Sequence, residues 1–579
     1  MQKQLILLLI SLFFSVPKLN AQATSILSTN PIAEQILLAN YNPTTYLATQ
    51  IINFPDSISQ GIMNRVNADT LKATILKMAT FHNRNSASDT VSSTKGYGAA
   101  RRWVYSKFQQ YSAQNENRLV VSYLQFNQAI CVATQHRMAY AVLPGMDTSD
   151  KRIIIIEGHM DSRCEGNCDT ACLAQGIEDN ASGTALVMEL ARVMSKYSYN
   201  HSIVFLITTA EEQGLDGSEA FADYVQSKTI KIKAVQNNDV IGGIICGATS
   251  SPPSCLGIGD IDSLNVRLFS QGSFNSPHKQ YARFVKLEYM EELVSLVSVP
   301  MTVKIMTPED RTGRGGDHIP FRQHGYTAMR FTSANEAGDA SLGATYTDRQ
   351  HSTRDTLGMD TNGDFIVDSF FVDFNYLARN AVINGNAAGM AAIGPKTPTF
   401  NATVAGLDSI QIDLLTEKGY TQYRVAIRTT THDWDTVFYM NDTMGIFVVN
   451  PAAAHYISVA SVDTNGIESL FSGEKLLNVA SATQEFTSEK GINLLPNKPN
   501  PFDEATTISV QVNEDKKYKT AFIVITDLNG KQLSKLPISL KKGMNEVMYQ
   551  HGYHAQGTFI YSLLVDGKIL QSGKMTFAN

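Results

Sequence analysis

The sequence predicts an α/β fold, a mixed and mainly parallel central sheet flanked by helices, followed by two all-β sandwiches. Three observations carry this reading. The runs Ile153-Ile154-Ile155-Ile156 and Ile203-Val204-Phe205-Leu206-Ile207 lack polar alternation, the pattern of strands buried on both faces of a parallel sheet. Between them, Thr184 to Met194 carries apolar residues at helical spacing, giving the order strand, helix, strand. After the linker Gly394-Pro395-Lys396-Thr397-Pro398 the pattern changes to short alternating strands separated by turns.

In chain order, Lys3, the apolar run Leu5 to Val16 and the small residues Ala21 and Ala23 read as a signal peptide over residues 1–23. The run is too short to span a bilayer, so the expected mature chain is exported and carries no transmembrane segment. Residues 24–56 have no clear period and are expected to form an N-terminal extension or propeptide. The main domain is expected over 57–395. It opens with helices, marked by Leu71, Ile75 and Met78 and then by Ala99, Trp103, Val104 and Phe108, with a polar loop from Asn83 to Thr90 between them. Leu119 to Phe126 and Met138 to Leu143 read as strands. Further on, Lys286 to Val297 is predicted as a helix, Gly325 to Phe331 as a strand, and Asp368 to Asn384 as the closing helix. The formal net charge is −6 and no basic block interrupts the chain, so nucleic acid is not an expected partner.

All six cysteines lie in the main domain, and an even count in an exported chain favours disulfides. Cys246 with Cys255 is the expected local bridge; pairing among Cys131, Cys164, Cys168 and Cys172 is open. The last three lack paired Cys-x-x-Cys spacing, which argues against a zinc cluster.

Three groups of metal-type ligands stand where strands give way to loops or helices. His159 and Asp161 follow the first buried strand, Asp179 sits at a helix entry, and Glu211-Glu212 follow the second buried strand. Ligands in open α/β sheets collect at the carboxyl ends of strands. Zinc takes imidazole and carboxylate ligands, and two zincs can share a carboxylate and activate one water. Asp179, with two oxygens to divide, is the natural bridge. In the acid pair, one carboxylate can bind metal while the other accepts a proton.

The segments Gly158 to Ser162, Asp179 to Gly183 and Ala210 to Gly214 resemble the zinc aminopeptidase family that also contains glutaminyl cyclases. Gln236 to Gly242 resembles its fourth ligand motif, Gln350 to Thr356 its last histidine motif, and Arg314 to Phe321 its Asp-His segment beside the substrate pocket. The resemblance implies two zinc ions, one held by His159 and Asp239 and the other by Glu212 and His351, with Asp179 bridging. It implies Glu211 as general base, Asp161 as the residue orienting His159, and a cis Asp179-Asn180 peptide. Asp317, His318 and Arg314 become candidate substrate-binding residues. The implied function is a secreted exopeptidase, foremost an aminopeptidase acting on peptides. A glutaminyl cyclase, a carboxypeptidase using Arg311, Arg314 or Arg330, and a non-catalytic surface binding protein are the alternatives.

Residues 396–480 resemble a fibronectin type III domain in strand pattern. After a linker at 481–493, residues 494–579 resemble the type A C-terminal sorting domain of the type IX secretion system. The resemblance rests on Pro499-Asn500-Pro501-Phe502, the turn at Asp527 to Lys531 and the Gly557 to Gly567 hairpin. It implies the type IX machinery as a partner and export across a bacterial outer membrane.

Overall fold

The computed structural model describes residues 22–578 apart from 247–256, 258, 312–313, 335–348, 407, 430–432, 451–452, 479–490, 515–517, 529 and 553–555. The expected signal peptide up to residue 21, Cys255 and most of the 481–493 linker lie outside the described residues. Among the described residues, no helix is long and apolar enough to cross a membrane.

Nine strands make one sheet: β1 (Thr24–Ser28), β2 (Val120–Ile130), β3 (Ala133–Leu143), β4 (Arg152–His159), β5 (Ile203–Thr208), β6 (Lys231–Asn238), β7 (Asn265–Phe269), β8 (Thr302–Ile305) and β9 (Ala328–Ser333). Across the sheet they run 1-2-3-5-4-6-9-7-8. The centre, β5-β4-β6-β9, is parallel, while β1, β2, β3 and β5 form an antiparallel flank. The four isoleucines of β4 divide between two cores. Ile154 and Ile156 pack with Leu186 and Ala388 from helices Ser182–Met194 and Phe374–Ile393; Ile153 and Ile155 pack on the other face with Leu37, Phe221 and Phe321. Alternate side chains of a strand face opposite ways, so an unbroken apolar run is what a strand between two helical layers requires. The register pairs His159 with Thr208 and Glu157 with Asn237, which brings the carboxyl ends of β4, β5 and β6 to one level.

The N-terminal extension is ordered. Thr24–Ser28 pairs with β2, and helix Pro31–Leu37 buries Ala33, Ile36 and Leu37. The helix expected at Lys286 to Val297 instead spans Pro277–Glu288 and is followed by one wide turn, Tyr289–Leu293. The Ser276 hydroxyl accepts from Lys279 N, and Pro277 occupies the first turn, so the start is set by local chemistry. The closing helix is Phe374–Ile393 rather than Asp368 to Asn384, because the Asp373 carboxylate caps it at Tyr376 N.

Residues 400–478 form a three-stranded and a four-stranded antiparallel sheet around Ile410, Ile412, Val425 and Ile457. Residues 492–577 repeat that arrangement around Ile508, Ile523, Tyr561 and Leu563. A buried ion network joins these two units to the main domain. Arg428 Nε lies 2.5 Å from Glu474 Oε1, Arg283 Nη1 lies 2.9 Å from the same oxygen, and Arg428 also pairs with Glu504.

Candidate metal centre

His159 ends β4, Glu211 and Glu212 open a short helix three residues after β5, and Asp239 follows β6 directly. Parallel strands in level register therefore bring three ligand-bearing loops to one edge of the sheet. Asp179 comes from the crossover between β4 and β5, in a wide turn at Ile177–Ala181 that enters helix Ser182–Met194. Two glycines permit that entry. Gly176 has φ +51°, and a Cβ there would stand 2.3 Å from Ser162 Cβ; a Cβ on Gly183 would stand 2.0 Å from Asn238 O. The Asp179-Asn180 peptide is cis.

The side chains form two clusters that share one carboxylate. His159 Nε2 lies 3.2 Å from Asp179 Oδ1 and 3.1 Å from Asp239 Oδ1. His351 Nε2 lies 3.0 Å from Asp179 Oδ2 and 3.1 Å from Glu212 Oε2. Asp179 thus turns one oxygen to each cluster. Glu211 Oε2 is 4.0 Å from His159 Nε2, at the wall of a cavity of about 400 Å³ that Asp179, Glu212, Asp239, His351, Arg163, Arg311 and Arg314 also line.

This donor set fits a pair of divalent cations. The His159 Nδ1–H donates to Asp161 O at 3.1 Å, because a carbonyl only accepts. Nε2 faces only carboxylate oxygens, which without an ion hold a proton on it and, against the effect of burial, raise the pKa of His159; a cation between them would take that proton's place. Glu212 Oε1 is buried with no hydrogen-bond partner, as a second ligand oxygen would be. His351 is held differently. Arg163 Nη2 and Arg314 Nη1 approach its Nδ1 at 2.6 and 2.9 Å, and guanidinium groups only donate. In this arrangement Nε2 carries the proton, so a cation at the second cluster requires that proton to leave and the two half-buried arginines to draw back.

The electrostatics follow from burial and close charges. Burial first, then Asp239, Glu212 and Asp317, pushes the Glu211 carboxyl well above the usual carboxylate range, against the opposing pull of His159. Burial also opposes ionisation of Asp179, but hydrogen bonds and charge from His159 and His351 hold it well below that range. A bound dication reverses the balance at Glu211 by stabilising its charged form.

The structure brings together His159, Asp161, Asp179, Glu211, Glu212, Asp239 and His351, and sets Arg314 on the cavity wall. The Asp161 carboxylate accepts from Glu211 N at 3.4 Å and Glu212 N at 3.2 Å, so this residue ties the acid pair to the His159 loop. Asp317 and His318 do not line the cavity, which corrects their assignment to substrate. Both are fully buried: Thr208 donates to the Asp317 carboxylate, and the His318 Nε2–H donates to Glu309 O at 3.2 Å. Arg330 is likewise buried, 3.1 Å from Asp239 Oδ2 and 3.0 Å from Asp310 Oδ1, and does not face substrate.

Three supporting residues went unread in the sequence. The Asp355 carboxylate accepts from Glu178 N at 2.9 Å and Asp179 N at 3.0 Å, clamping the bridging aspartate; its place four residues after His351 was the available signal. Arg163, two residues after Asp161, lies 2.9 Å from Glu212 Oε2. Arg84, in the expected polar loop, is fully buried and gave no signal. Its guanidinium donates to Met160 O at 2.8 Å, to Gly176 O at 2.9 Å and to Gln175 O, so it joins the segments carrying His159 and Asp179.

The cysteines of this region form disulfides, as expected, and not a zinc cluster: Cys131 pairs with Cys168 and Cys164 with Cys172, both bracing the loop between His159 and Asp179. Cys246 is disulfide-bonded, and its expected partner Cys255 lies outside the described residues.

The description "Peptidase family M28" matches residues 139–364, the span that holds every ligand named above. A probable zinc metalloprotease of Pyrenophora tritici-repentis is 30% identical over 369 residues, covering 60% of this chain and 79% of that protein. Another, of Leptosphaeria maculans, is 30% identical over 65% of this chain and 87% of its own length. Among solved structures, the LapA aminopeptidase of Legionella pneumophila aligns with a TM-score of 0.42 at 17% identity, over 58% of this chain and 74% of that one. The site and fold define a metallohydrolase of the α/β class. The chain belongs to peptidase family M28.

Proposed function

We propose that this zinc metallopeptidase is a di-zinc aminopeptidase that removes amino-terminal residues from peptides. The observation that carries the reading is Asp179, whose two oxygens face separate histidine-carboxylate clusters. His159, Asp179 and Asp239 would hold one ion and Asp179, Glu212 and His351 the other. When bound, the pair polarises the scissile carbonyl, lowers the pKa of water and anchors a free α-amine. Glu211 stands at the cavity wall to accept the proton from the attacking water and pass it to the leaving amine. Asp161 and Asp355 keep the acid pair and the bridge in register through backbone amides.

A second reading, cleavage at the carboxyl end, is favoured by Arg163, Arg311 and Arg314 in the cavity lining, since a guanidinium suits a terminal carboxylate. A peptide library with free and blocked ends separates the two. Loss of cleavage on blocking the amino end supports aminopeptidase action; loss on blocking the carboxyl end supports the second reading. Glu211→Gln should keep both metal equivalents and lower kcat by about 10²- to 10⁴-fold. One tightly held zinc with cyclisation of N-terminal glutamine would turn the assignment to a glutaminyl cyclase.

We also propose export by the type IX route, with the fibronectin-like unit as a spacer and the last unit as a removable sorting signal. The apolar run Leu5 to Val16 and the Pro499 to Phe502 entry support this. Mass analysis of the chain from culture medium tests it: retention of both termini would overturn the reading.

A further inference from the structure

Away from the two clusters, helix Asp216–Ser227 presents Glu219 and Asp223 one turn apart, and His324 closes the short helix His318–Gln323 against them. His324 Nε2 lies 3.0 Å from Asp223 Oδ1 and 3.7 Å from Glu219 Oε1. Its other nitrogen, Nδ1, lies 2.8 Å from Pro320 O. A carbonyl accepts and never donates, so Nδ1 carries a proton and Nε2 is the atom left to face the two acids. Metal-binding histidines are oriented in this way, with one ring N–H on a carbonyl and the other nitrogen on the ion, which here would take the place of the proton that Nε2 shares with Asp223. His159 repeats the pattern in the main centre, with Asp161 O in the place of Pro320 O.

Charge points the same way. Carboxylates at i and i+4 on one helix repel, and the repulsion destabilises the helix unless a cation lies between them. One imidazolium offsets a single charge; a divalent ion offsets both. The groups are accessible to an ion yet constrained: the Glu219, Asp223 and His324 side chains are 43%, 17% and 12% exposed. Phe221 and Phe321, with ring centroids 6.2 Å apart, fix the two helices against each other beneath them.

We propose that Glu219, Asp223 and His324 form a further site for a first-row divalent cation, zinc foremost, independent of the dinuclear centre. One imidazole nitrogen and two carboxylate oxygens leave a position for water, which suits zinc and does not suit calcium, whose ligands are oxygens. The site joins two elements that lead away from the active cavity. Helix Asp216–Ser227 follows the Glu211–Gly214 turn, and helix His318–Gln323 follows Arg314 and Gly315, so a bound ion fastens the two helices to each other outside the cavity lining.

The test uses the full chain, stripped with chelator, reloaded with Zn²⁺ and passed through gel filtration before metal analysis. The parent should retain one zinc equivalent more than His324→Gln or Asp223→Asn, while peptide hydrolysis is unchanged in both. Zinc should raise the thermal midpoint of the parent more than that of either variant, and affinity at this site should fall at least about tenfold. Ca²⁺ in excess should not displace the extra equivalent. Glu219→Gln, at the most exposed position, serves as the third arm should another variant fold poorly. Equal zinc content and equal midpoint shifts in parent and variants would overturn the proposal and leave a simple ion pair. Displacement by calcium would overturn the class of cation.

Discussion

Replacing Arg84 by Met tests the idea that the metal centre rests on a buried cation beneath it. The guanidinium is fully enclosed and spans carbonyls from two separate segments, Met160 on one side and Gln175 and Gly176 on the other. It also sits within the field of Asp355, Asp161, Asp179 and Glu212, each of which favours its charged form against the cost of burial. A hydrogen bond to a charged group contributes about 1.5–3 kcal/mol, so losing three costs about 4.5–9 kcal/mol, and with part returned by removing a buried charge the metal-free fold should be destabilised by on the order of 3–5 kcal/mol. Met is apolar and of similar length, so the change removes donors and charge with little loss of volume. The same loss frees the loops bearing His159 and Asp179 to drift, and zinc affinity should fall by about 10- to 100-fold, as for other residues that orient ligands. Urea unfolding of the stripped protein measures the first quantity, and competition with a chromophoric chelator the second. Arg84→Lys should fall between, because an ammonium keeps the charge but cannot reach three carbonyls from one plane. A Met variant within about 1 kcal/mol of the parent and with unchanged zinc affinity would refute the reasoning.

Two other outcomes follow from buried charge. Arg428→Met removes the bidentate partner of Glu474 and an ion pair of Glu504, so unfolding should become easier by about 3–5 kcal/mol. Removing Arg428 and Glu474 together should cost less than the sum, read from a double-mutant cycle in urea; simple additivity would deny the network. Lys233, buried in β6 with Nζ donating to Gly394 O at 3.1 Å, has its pKa lowered by burial from 10.5 to about 7. Between those values the unfolded chain binds a proton that the folded chain does not, so stability rises with pH through that window and the burial penalty is complete below pH about 7. Lys233→Met removes this slope. Relative to the parent it gains on the order of 5 kcal/mol below pH about 7, less what the lost hydrogen bond contributes, and the gain fades as pH approaches 10.5. A pH-independent difference in urea midpoints would contradict the assignment.

The centre was legible where residue type alone determines placement. Four consecutive isoleucines must bury on both faces, and that fixes a central strand whose end carries His159. A helix entry fixes Asp179, and an acid pair after a buried run fixes Glu211 and Glu212. Reading failed where buried faces are polar. Helix Pro277–Glu288 buries Lys279, Gln280 and Arg283 because it packs on the first sandwich by hydrogen bonds, among them Gln280 Nε2 to Ser472 O at 2.9 Å. Its apolar stripe, Tyr281, Ala282, Phe284 and Val285, is short and flanked by these buried polar residues, and its predicted start fell nine residues late. The same reason hid Arg84, whose partners are backbone carbonyls distant in sequence. Asp317 and His318 failed differently: the resemblance of Arg314 to Phe321 to the family's Asp-His segment implied the cavity, but both side chains are fully buried and neither is in its lining.

Under the proposed dinuclear reading, the shared aspartate has a consequence for how the two ions would be gained and lost. Withdrawal of either ion frees one oxygen of Asp179, and the carboxylate can then rotate and loosen its hold on the neighbour. Occupancy of the two positions is thus thermodynamically linked, and by reciprocity each ion strengthens the other's retention to the same degree. Demetallation curves should accordingly be steeper than those of two separate sites, and Asp179→Asn should disturb both positions at once rather than leave a clean mononuclear protein.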